Sequence, residues 1–206
     1  MPVVDNEKTE DLTPEQLRRL LEEINKDDHP IAGPMMLLAL YTGMRRGEMF
    51  RLQWHDVDFE RGFINIRNPK GGIDQKIPLN DAARGLLENY PRTGSQFVFP
   101  GKAGGQIKTV RKPTNRIKER AGIPKDFRAL HGLRHVFASS LASSGQVDMY
   151  VLQKLMTHKD PKMTARYSHL RDNALKRASN LAGDIINQAA SAKDKNVVQL
   201  NDKNIT

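Results

Sequence analysis

The sequence of 206 residues contains no cysteine, which excludes disulfide bonds and zinc sites built on thiolates. It also lacks any apolar run near the roughly 18 residues that a membrane-spanning helix needs, so we expect no membrane contact. The first residues do not have the basic and then apolar order of a signal peptide. These absences favour a globular domain with a cytoplasmic location.

Acidic residues are scarce in the later part of the chain. The first 60 residues hold 7 Lys and Arg against 13 Asp and Glu, whereas residues 61–206 hold 26 against 11. The C-terminal two-thirds is therefore strongly basic, which predicts a surface suited to a polyanion such as nucleic acid. A solvated basic surface without a partner is the alternative at this point.

Hydrophobic periodicity and turn residues predict a mainly α fold with a small antiparallel β-sheet, an α+β class. The segment from Thr13 to Gln16 has a hydroxyl cap, an early proline and a capping-box glutamine, which together predict a helix start. The predicted helices cover residues 13–26, 31–41, 46–52, 81–88, 109–121, 130–143, 148–156, 161–167 and 171–190, and the predicted strands cover 57–59, 63–67 and 75–79. We expect one domain over residues 13–190, a flexible segment at 1–12 and a disordered tail at 191–206.

The residue types that could carry chemistry are concentrated in one region. The segment 131–135, with the sequence HGLRH, is followed by His158 and Tyr167. His131 and Arg134 are three residues apart, so a helix projects both from one face. An arginine binds phosphate through two parallel donors, and an imidazole exchanges protons near neutral pH. Taken alone, however, such a pair more often forms a helix cap and a surface salt bridge.

Three segments, in this order, resemble the conserved boxes of the tyrosine recombinase (phage integrase) family. The first box combines residues 42–48 (TGMRRGE) with 52–58 (LQWHDVD), the second is 131–135, and the third is 155–170, which begins LMTH. The resemblance extends over about residues 11–185. It implies that residues 13–190 have the fold of a tyrosine recombinase catalytic domain. The implied activity is that of a site-specific recombinase or integrase, which cleaves and rejoins DNA strands through a 3′-phosphotyrosyl intermediate without metal or ATP.

The resemblance also implies how the scissile phosphate is attacked and held. Tyr167 is the implied nucleophile. Its phenol has an ordinary pKa of about 10, so it attacks phosphorus only where cations stabilise the phenolate. Arg45 and Arg134 correspond to the arginines that hold the non-bridging oxygens, and His158 to a further hydrogen-bond donor. Arg46 is better suited to a surface or DNA-backbone contact.

Four further residues have implied roles in proton transfer or support. Lys70, in the turn between two predicted strands, would protonate the leaving 5′-oxygen, and it is preferred to Lys76, which lies within a strand. His131 would act as acid–base partner toward the tyrosine oxygen. Glu48 is expected either to orient a basic residue from a supporting position or to be a simple helix charge. His135 is expected to be first of all a buried core histidine, with a supporting role beside the site.

The chain departs from the family pattern in two positions and in length. Thr157 stands where the third box commonly has glycine, and Gly132 stands where an acidic residue is often found. Family members usually carry an N-terminal helical domain that grips the opposite face of the DNA, whereas only twelve residues precede Thr13. We therefore expect a catalytic domain cut from a longer protein, or an unusually short member, with weak DNA binding alone.

The implied partners are a double-stranded DNA attachment site, other protomers in a tetramer on DNA, and accessory DNA-bending proteins. A bacterial host and a phage or mobile element are the expected setting, with neither cofactor nor metal. The apolar side of helix 171–190 either packs on its own domain or docks into a neighbouring protomer. The alternatives are a type IB topoisomerase, a DNA-binding module with an idle site, and a zinc hydrolase built on His131 and His135. The zinc hydrolase lacks the glutamate of His-Glu-x-x-His.

Overall fold

Nine α-helices and three short β-strands form the fold in residues 11–67 and 73–192, the part of the chain that the computed structural model describes. The helices are α1 (Pro14–Lys26), α2 (Ala32–Thr42), α3 (Arg46–Arg51), α4 (Asp81–Glu88), α5 (Arg111–Arg120), α6 (Ala129–Ser144), α7 (Met149–Leu155), α8 (Lys162–Ala165) and α9 (Asp172–Ala192). The strands are β1 (Val57–Asp58), β2 (Phe63–Ile66) and β3 (Gln75–Pro78). The predicted mainly α fold with a small antiparallel sheet is confirmed.

The first helix begins at the predicted capping box. The Thr13 hydroxyl accepts a hydrogen bond from the Gln16 backbone N–H at 3.2 Å, and the Gln16 side chain accepts one from the Thr13 N–H at 2.9 Å. Both donors would otherwise lack a partner within the helix. The apolar side of α1 then buries Leu20 and Ile24 in the core.

The three strands form one antiparallel sheet in sequence order. Ile64 of β2 lies opposite Ile77 of β3, and both are buried together with Ile66. Since successive side chains of a strand point to opposite faces, these isoleucines cover the core side of the sheet. Residues 68–72, which join β2 to β3 and include Lys70, lie outside the described residues.

Helices α2 and α6 pack against each other at the centre of the domain. Seven of the eleven residues of α2 are buried, as expected for a helix that is apolar on all sides. The helix ends at Gly43, where φ is 65° and a Cβ atom would lie 2.5 Å from the Phe137 ring. Glycine avoids both the steric clash and the left-handed strain. Because α2 packs so closely on α6, the turn that follows α2 places Arg45 beside α6.

The prediction of a helix over residues 161–167 is wrong at its C-terminal end. Helix α8 ends at Ala165, and the Tyr167 N–H donates to the carbonyl of Thr164, three residues earlier, at 3.0 Å. This tighter spacing leads into a 3₁₀ turn at Ser168–Arg171. At this change of helical geometry Tyr167 is buried, and it is only 1% exposed.

The last helix, α9, extends two residues beyond the predicted end at residue 190. Residues 1–10 and 193–206, which include most of the predicted flexible segment and tail, lie outside the described residues. None of the described helices combines the length and the hydropathy that crossing a bilayer requires.

Gly132, in the first turns of α6, lies against the Phe127 ring. A Cβ atom at this position would be 2.4 Å from the ring atom Cζ, and Phe127 is itself buried in the core. The missing side chain therefore lets the loop before α6 pack directly onto the helix that carries His131 and Arg134. This contact accounts for glycine at the position where the family often has an acidic residue.

We expect Gly132→Ala to lower the free energy of unfolding by about 1–3 kcal/mol, because the buried ring has to move. The matched control is Gly85→Ala in α4, where an added Cβ meets no heavy atom within 4 Å. That substitution should be neutral or stabilising by about 0.5–1 kcal/mol, since alanine is the better helix former. Urea unfolding of both variants is the measurement, and equal stabilities would contradict the packing argument.

Candidate active site

An open cleft of about 940 Å³ gathers residues from α3, α5, α6 and the segment 158–167. It is lined by Arg45, His131, Arg134, His135, His158 and Tyr167. Seven more Lys and Arg side chains line the cleft, whereas none of its described lining residues is Asp or Glu. A concave site with this excess of positive charge attracts a polyanion.

Arg45 is held at the start of α3 by Glu48. The guanidinium donates to the Glu48 carboxylate at 2.9 Å, and the Arg45 backbone N–H donates to the other carboxylate oxygen at 2.8 Å. Glu48 is 5% exposed and lies behind the arginine, outside the residues that line the cleft. The carboxylate therefore orients Arg45 without occupying the face available to a ligand, which is the position that the supporting role requires.

Thr157 is the second anchor of Arg45. Its hydroxyl accepts from the guanidinium at 2.5 Å, and its backbone carbonyl accepts from the other terminal nitrogen at 3.2 Å. Among the described residues other than glycine, Thr157 alone has a positive φ, of 50°. A left-handed backbone favours glycine, which accounts for the usual residue at this position of the third box. The sequence pattern distinguishes this threonine but carries no signal for its contact with Arg45.

Arg134 is almost completely buried, at 5% exposed. Its guanidinium donates to the carbonyl of Gly43 at 2.5 Å and to the carbonyl of Met156. Burial, and then the nearby positive charge of Arg45, lower the pKa of Arg134 to about 10. The group stays protonated at neutral pH. Because its anchors are neutral carbonyls, the full positive charge is available to an anion in the cleft.

His158 follows the turn that anchors both arginines. Its Nδ1 atom is 2.8 Å from the Thr164 hydroxyl, and the residue is 9% exposed. Burial, and then the charges of Arg134 and Arg45, lower the pKa of His158 to about 3. The neutral ring is thus held through Nδ1, which orients Nε2 as the nitrogen suited to a ligand. Thr164 is a contact that no sequence motif indicated.

Lys118 is a buried lysine that stabilises the loop before α6. Its ammonium group donates to the carbonyls of Lys125 and Phe127, both at 3.0 Å, and the residue is 5% exposed. These bonds hold the loop that leads into His131. The sequence gives no signal for this role, since a lysine in a basic chain is normally solvated.

The Tyr167 phenol contacts a histidine, but this histidine is His135 and not the predicted His131. The phenol oxygen lies 2.5 Å from Nδ1 of His135, whose Nε2 lies 3.0 Å from Nε2 of His131. His135 is buried, as expected, and its pKa is lowered to about 4 by burial and then by the charges of His131 and Arg166. His131, expected beside the tyrosine oxygen, is linked to it through His135. The spacing of four residues on α6 places both histidines on one face.

The chain is similar in sequence to known proteins. The profile of the phage integrase family matches residues 10–174. The chain belongs to the phage integrase family. Among its relatives, the tyrosine recombinase XerA of Pyrococcus furiosus is 31% identical over 197 residues, which cover 90% of this chain and 67% of the relative.

Solved structures of the phage integrase family share the fold. The crystal structure of XerA recombinase matches with a TM-score of 0.68 and 26% identity, over 84% of this chain and 63% of that one. The Tn1549 transposon integrase in complex with circular intermediate DNA matches with a TM-score of 0.68 and 25% identity, over 79% of this chain and 63% of that one. The chain thus spans about two-thirds of the length of these relatives.

The structure brings together most of the residues that the sequence pattern selected. Of the predicted set, Arg45, Arg134, His131, His135, His158 and Tyr167 line one cleft, and Glu48 lies directly behind it. The position of Lys70 falls outside the described residues. For all of these residues, the catalytic and supporting roles stay predictions. No group of three or more His, Asp or Glu side chains in residues 11–67 and 73–192 could hold a metal ion, so the zinc alternative gains no support.

The two buried neutral imidazoles predict a loss of stability in acid. An unfolded histidine takes up a proton near pH 6.5, whereas His135 and His158 resist protonation until about pH 4 and 3. The unfolded state therefore binds more protons as the pH falls from 7.5 to 5, and the free energy of unfolding decreases.

We expect His135→Gln to shrink this pH-dependent loss by roughly 1 kcal/mol, because one of the two buried imidazoles is removed. His55→Gln is the control, since the His55 side chain is 63% exposed. Urea unfolding at pH 7.5 and pH 5 measures the loss in each protein. If His135→Gln and the wild type lose equal stability, the imidazole is not buried in its neutral form.

Proposed function

We propose that this chain is the catalytic domain of a site-specific DNA recombinase or integrase. The observation that carries the proposal is the convergence of one phenol, two guanidinium groups and three imidazoles on a single basic cleft. These groups come from segments far apart in the sequence, so their convergence is produced by the fold. Phosphoryl transfer mainly requires positioning and charge stabilisation, and this arrangement supplies both.

In the proposed reaction, the Tyr167 oxygen attacks the scissile phosphorus and forms a 3′-phosphotyrosyl bond. Arg45 and Arg134 hold the non-bridging oxygens and neutralise the charge that develops on them, and His158 adds a hydrogen bond. Each well-placed donor contributes roughly 3 kcal/mol of transition-state stabilisation. The energy of the broken phosphodiester is retained in the protein–DNA bond, so rejoining consumes neither ATP nor another nucleotide.

The leaving 5′-oxygen has to receive a proton, and we assign this step to Lys70. The strand that follows the Lys70 turn, β3, contacts α7, the helix that leads to His158. The hairpin is thus anchored beside the residues of the third box. A lysine between these two strands suits a general acid because its ammonium group carries a transferable proton.

Double-stranded DNA with an attachment site is the proposed substrate. The cleft is also lined by further basic side chains, including Arg111, Lys162 and Arg166. Such cations contact phosphates and position a duplex without reading its sequence. The Tn1549 integrase, which shares this fold, is itself bound to DNA in its solved structure. The relatives are recombinases and integrases, which favours strand exchange over a topoisomerase or an idle module.

Other copies of this chain are the proposed protein partners, in a tetramer on DNA. On α9, the side chains of Leu175, Leu181, Ile185 and Ile186 are between 58% and 67% exposed. This exposure favours docking over packing on the same domain, the alternative for this helix. An apolar helix face of this kind is costly in water and suits docking into a neighbouring protomer.

A covalent protein–DNA adduct tests the activity. The probe is a pool of nicked suicide duplexes with randomised sequence on both sides of the nick, incubated in the presence of a chelator. We expect an adduct that survives denaturing electrophoresis, and we expect mass spectrometry to find the nucleotide on Tyr167. Tyr167→Phe should abolish the adduct because it removes the attacking oxygen. Tyr150→Phe, at a tyrosine that is 66% exposed, is the matched control and should react normally.

Three outcomes would speak against this proposal. An adduct that persists in Tyr167→Phe would assign the nucleophile to another residue. DNA binding by the wild type without any adduct across the pool would indicate an idle module. Relaxation of any supercoiled plasmid, without a second site, would indicate a topoisomerase.

The exposed side of α9 generates a prediction about assembly. We expect Ile185→Glu to reduce complexes that hold two duplexes about tenfold or more, because a carboxylate in an apolar interface costs more than about 1.4 kcal/mol. Cleavage of a single site should remain. Asn180→Glu adds the same charge on the opposite side of the exposed helix and serves as the control. Native gels with duplexes selected from the pool measure the ratio, and equal assembly by both variants would exclude docking through this face.

A further inference from the structure

Three side chains form a continuous hydrogen-bonded line from the phenol to the surface. The Tyr167 oxygen lies 2.5 Å from Nδ1 of His135, and Nε2 of His135 lies 3.0 Å from Nε2 of His131. We propose that His135 is the catalytic base that takes the proton of Tyr167, and that His131 carries it onward to solvent. This inference rests on the proposed function of Tyr167 as the nucleophile.

The directions of the two hydrogen bonds follow from the chemistry of the groups. A phenol before attack carries its proton, so it donates and Nδ1 of a neutral His135 accepts. The remaining proton of that ring is then on Nε2, which donates to Nε2 of His131. His131 in turn keeps its own proton on Nδ1 when it is neutral. Each group in the line is thus set to pass one proton in the same direction.

Burial explains why the relay needs two imidazoles. His135 is 6% exposed, whereas His131 is exposed at the edge of the cleft. The charged groups that act on His135 are His131, Arg128, Arg134 and Arg166, all cationic when protonated, and His158 lines the same cleft. Together with burial they hold the pKa of His135 at about 4. A proton received there is therefore unstable and moves to His131, where water can solvate the charge.

Each bond that breaks in this step is matched by a bond that forms. The O–H bond of Tyr167 breaks, and its electron pair forms the new bond to phosphorus. The proton goes to Nδ1 of His135, and the Nε2 proton of His135 moves to His131, which becomes an imidazolium. The bond from phosphorus to the 5′-oxygen breaks with its electron pair on that oxygen, which is protonated by the general acid assigned to Lys70. During rejoining, the same line returns a proton to the departing phenol.

Single-turnover cleavage of a duplex selected from the suicide pool tests the relay, with protein in excess over DNA. We expect His135→Gln to lower the cleavage rate constant about 10²- to 10⁴-fold, since glutamine keeps a hydrogen bond but transfers no proton. His131→Gln should cause a smaller loss. The double variant should be no slower than His135→Gln alone, because His131 acts only through His135.

A change in the acidity of the nucleophile separates proton transfer from packing. Replacing Tyr167 by 3,5-difluorotyrosine makes the phenol more acidic and reduces its need for a base. If His135 takes the proton, the loss caused by His135→Gln should shrink by at least tenfold with the fluorinated nucleophile. A loss that stays constant would show that His135 only positions the ring, and it would overturn the proposal.

The remaining outcomes are also decisive. Wild-type cleavage rates in His135→Gln, with the adduct still on Tyr167, would overturn the relay and leave the proposed function standing. No adduct in any protein would overturn the proposed function itself. If His135→Gln does not fold, exposed His131 provides the second variant: a rate equal to that of the wild type would refute the relay, and a loss relieved by the fluorinated tyrosine would support it.

Discussion

One short turn accepts hydrogen bonds from two arginine side chains, and this constraint organises the domain. Met156 offers a carbonyl to Arg134, Thr157 offers both a carbonyl and a hydroxyl to Arg45, and Gly43 offers a further carbonyl to Arg134. A buried guanidinium without acceptors would cost several kcal/mol, so this turn has to adopt its shape for the core to close. None of these four acceptors carries a charge. Glu48, the charged partner of Arg45, lies away from the cleft, so the ligand side of the site keeps its positive charge.

The same turn also links the position of the two arginines to the position of Tyr167. Met156 gives its carbonyl to Arg134, while its side chain belongs to a small core cluster with the ring of Tyr167. The Met156 sulfur also lies 3.2 Å from the position that a Cβ atom of Gly43 would occupy. A displacement of α7 would therefore move the phenol and the guanidinium anchors together. Close packing of this kind transmits strain, and it holds groups from distant segments in one fixed geometry.

Particular residues show where prediction succeeded and where it failed. The capping box at Thr13 was predictable because all its partners lie within four residues, and the three boxes named the cleft residues because each motif is local. The histidine that meets the phenol was not predictable. His131 and His135 share one face of α6, so their spacing cannot tell which ring contacts Tyr167. That choice depends on the direction from which the tyrosine approaches, which is decided in the segment between the end of α8 at Ala165 and the 3₁₀ turn at Ser168–Arg171.

The order of the residues thus specified the helices, the small sheet and the chemical groups of the site, since each of these follows from periodicity or from short motifs. The pairing of those groups arose only in the folded chain. Arg45 and Thr157 are 112 residues apart, and His135 and Tyr167 are 32 apart, and no local rule relates such positions. Their contacts exist because packing of α2 on α6 and of α7 beneath the cleft brings distant segments within hydrogen-bond distance, and buried polar groups there bond to whatever acceptors the fold supplies.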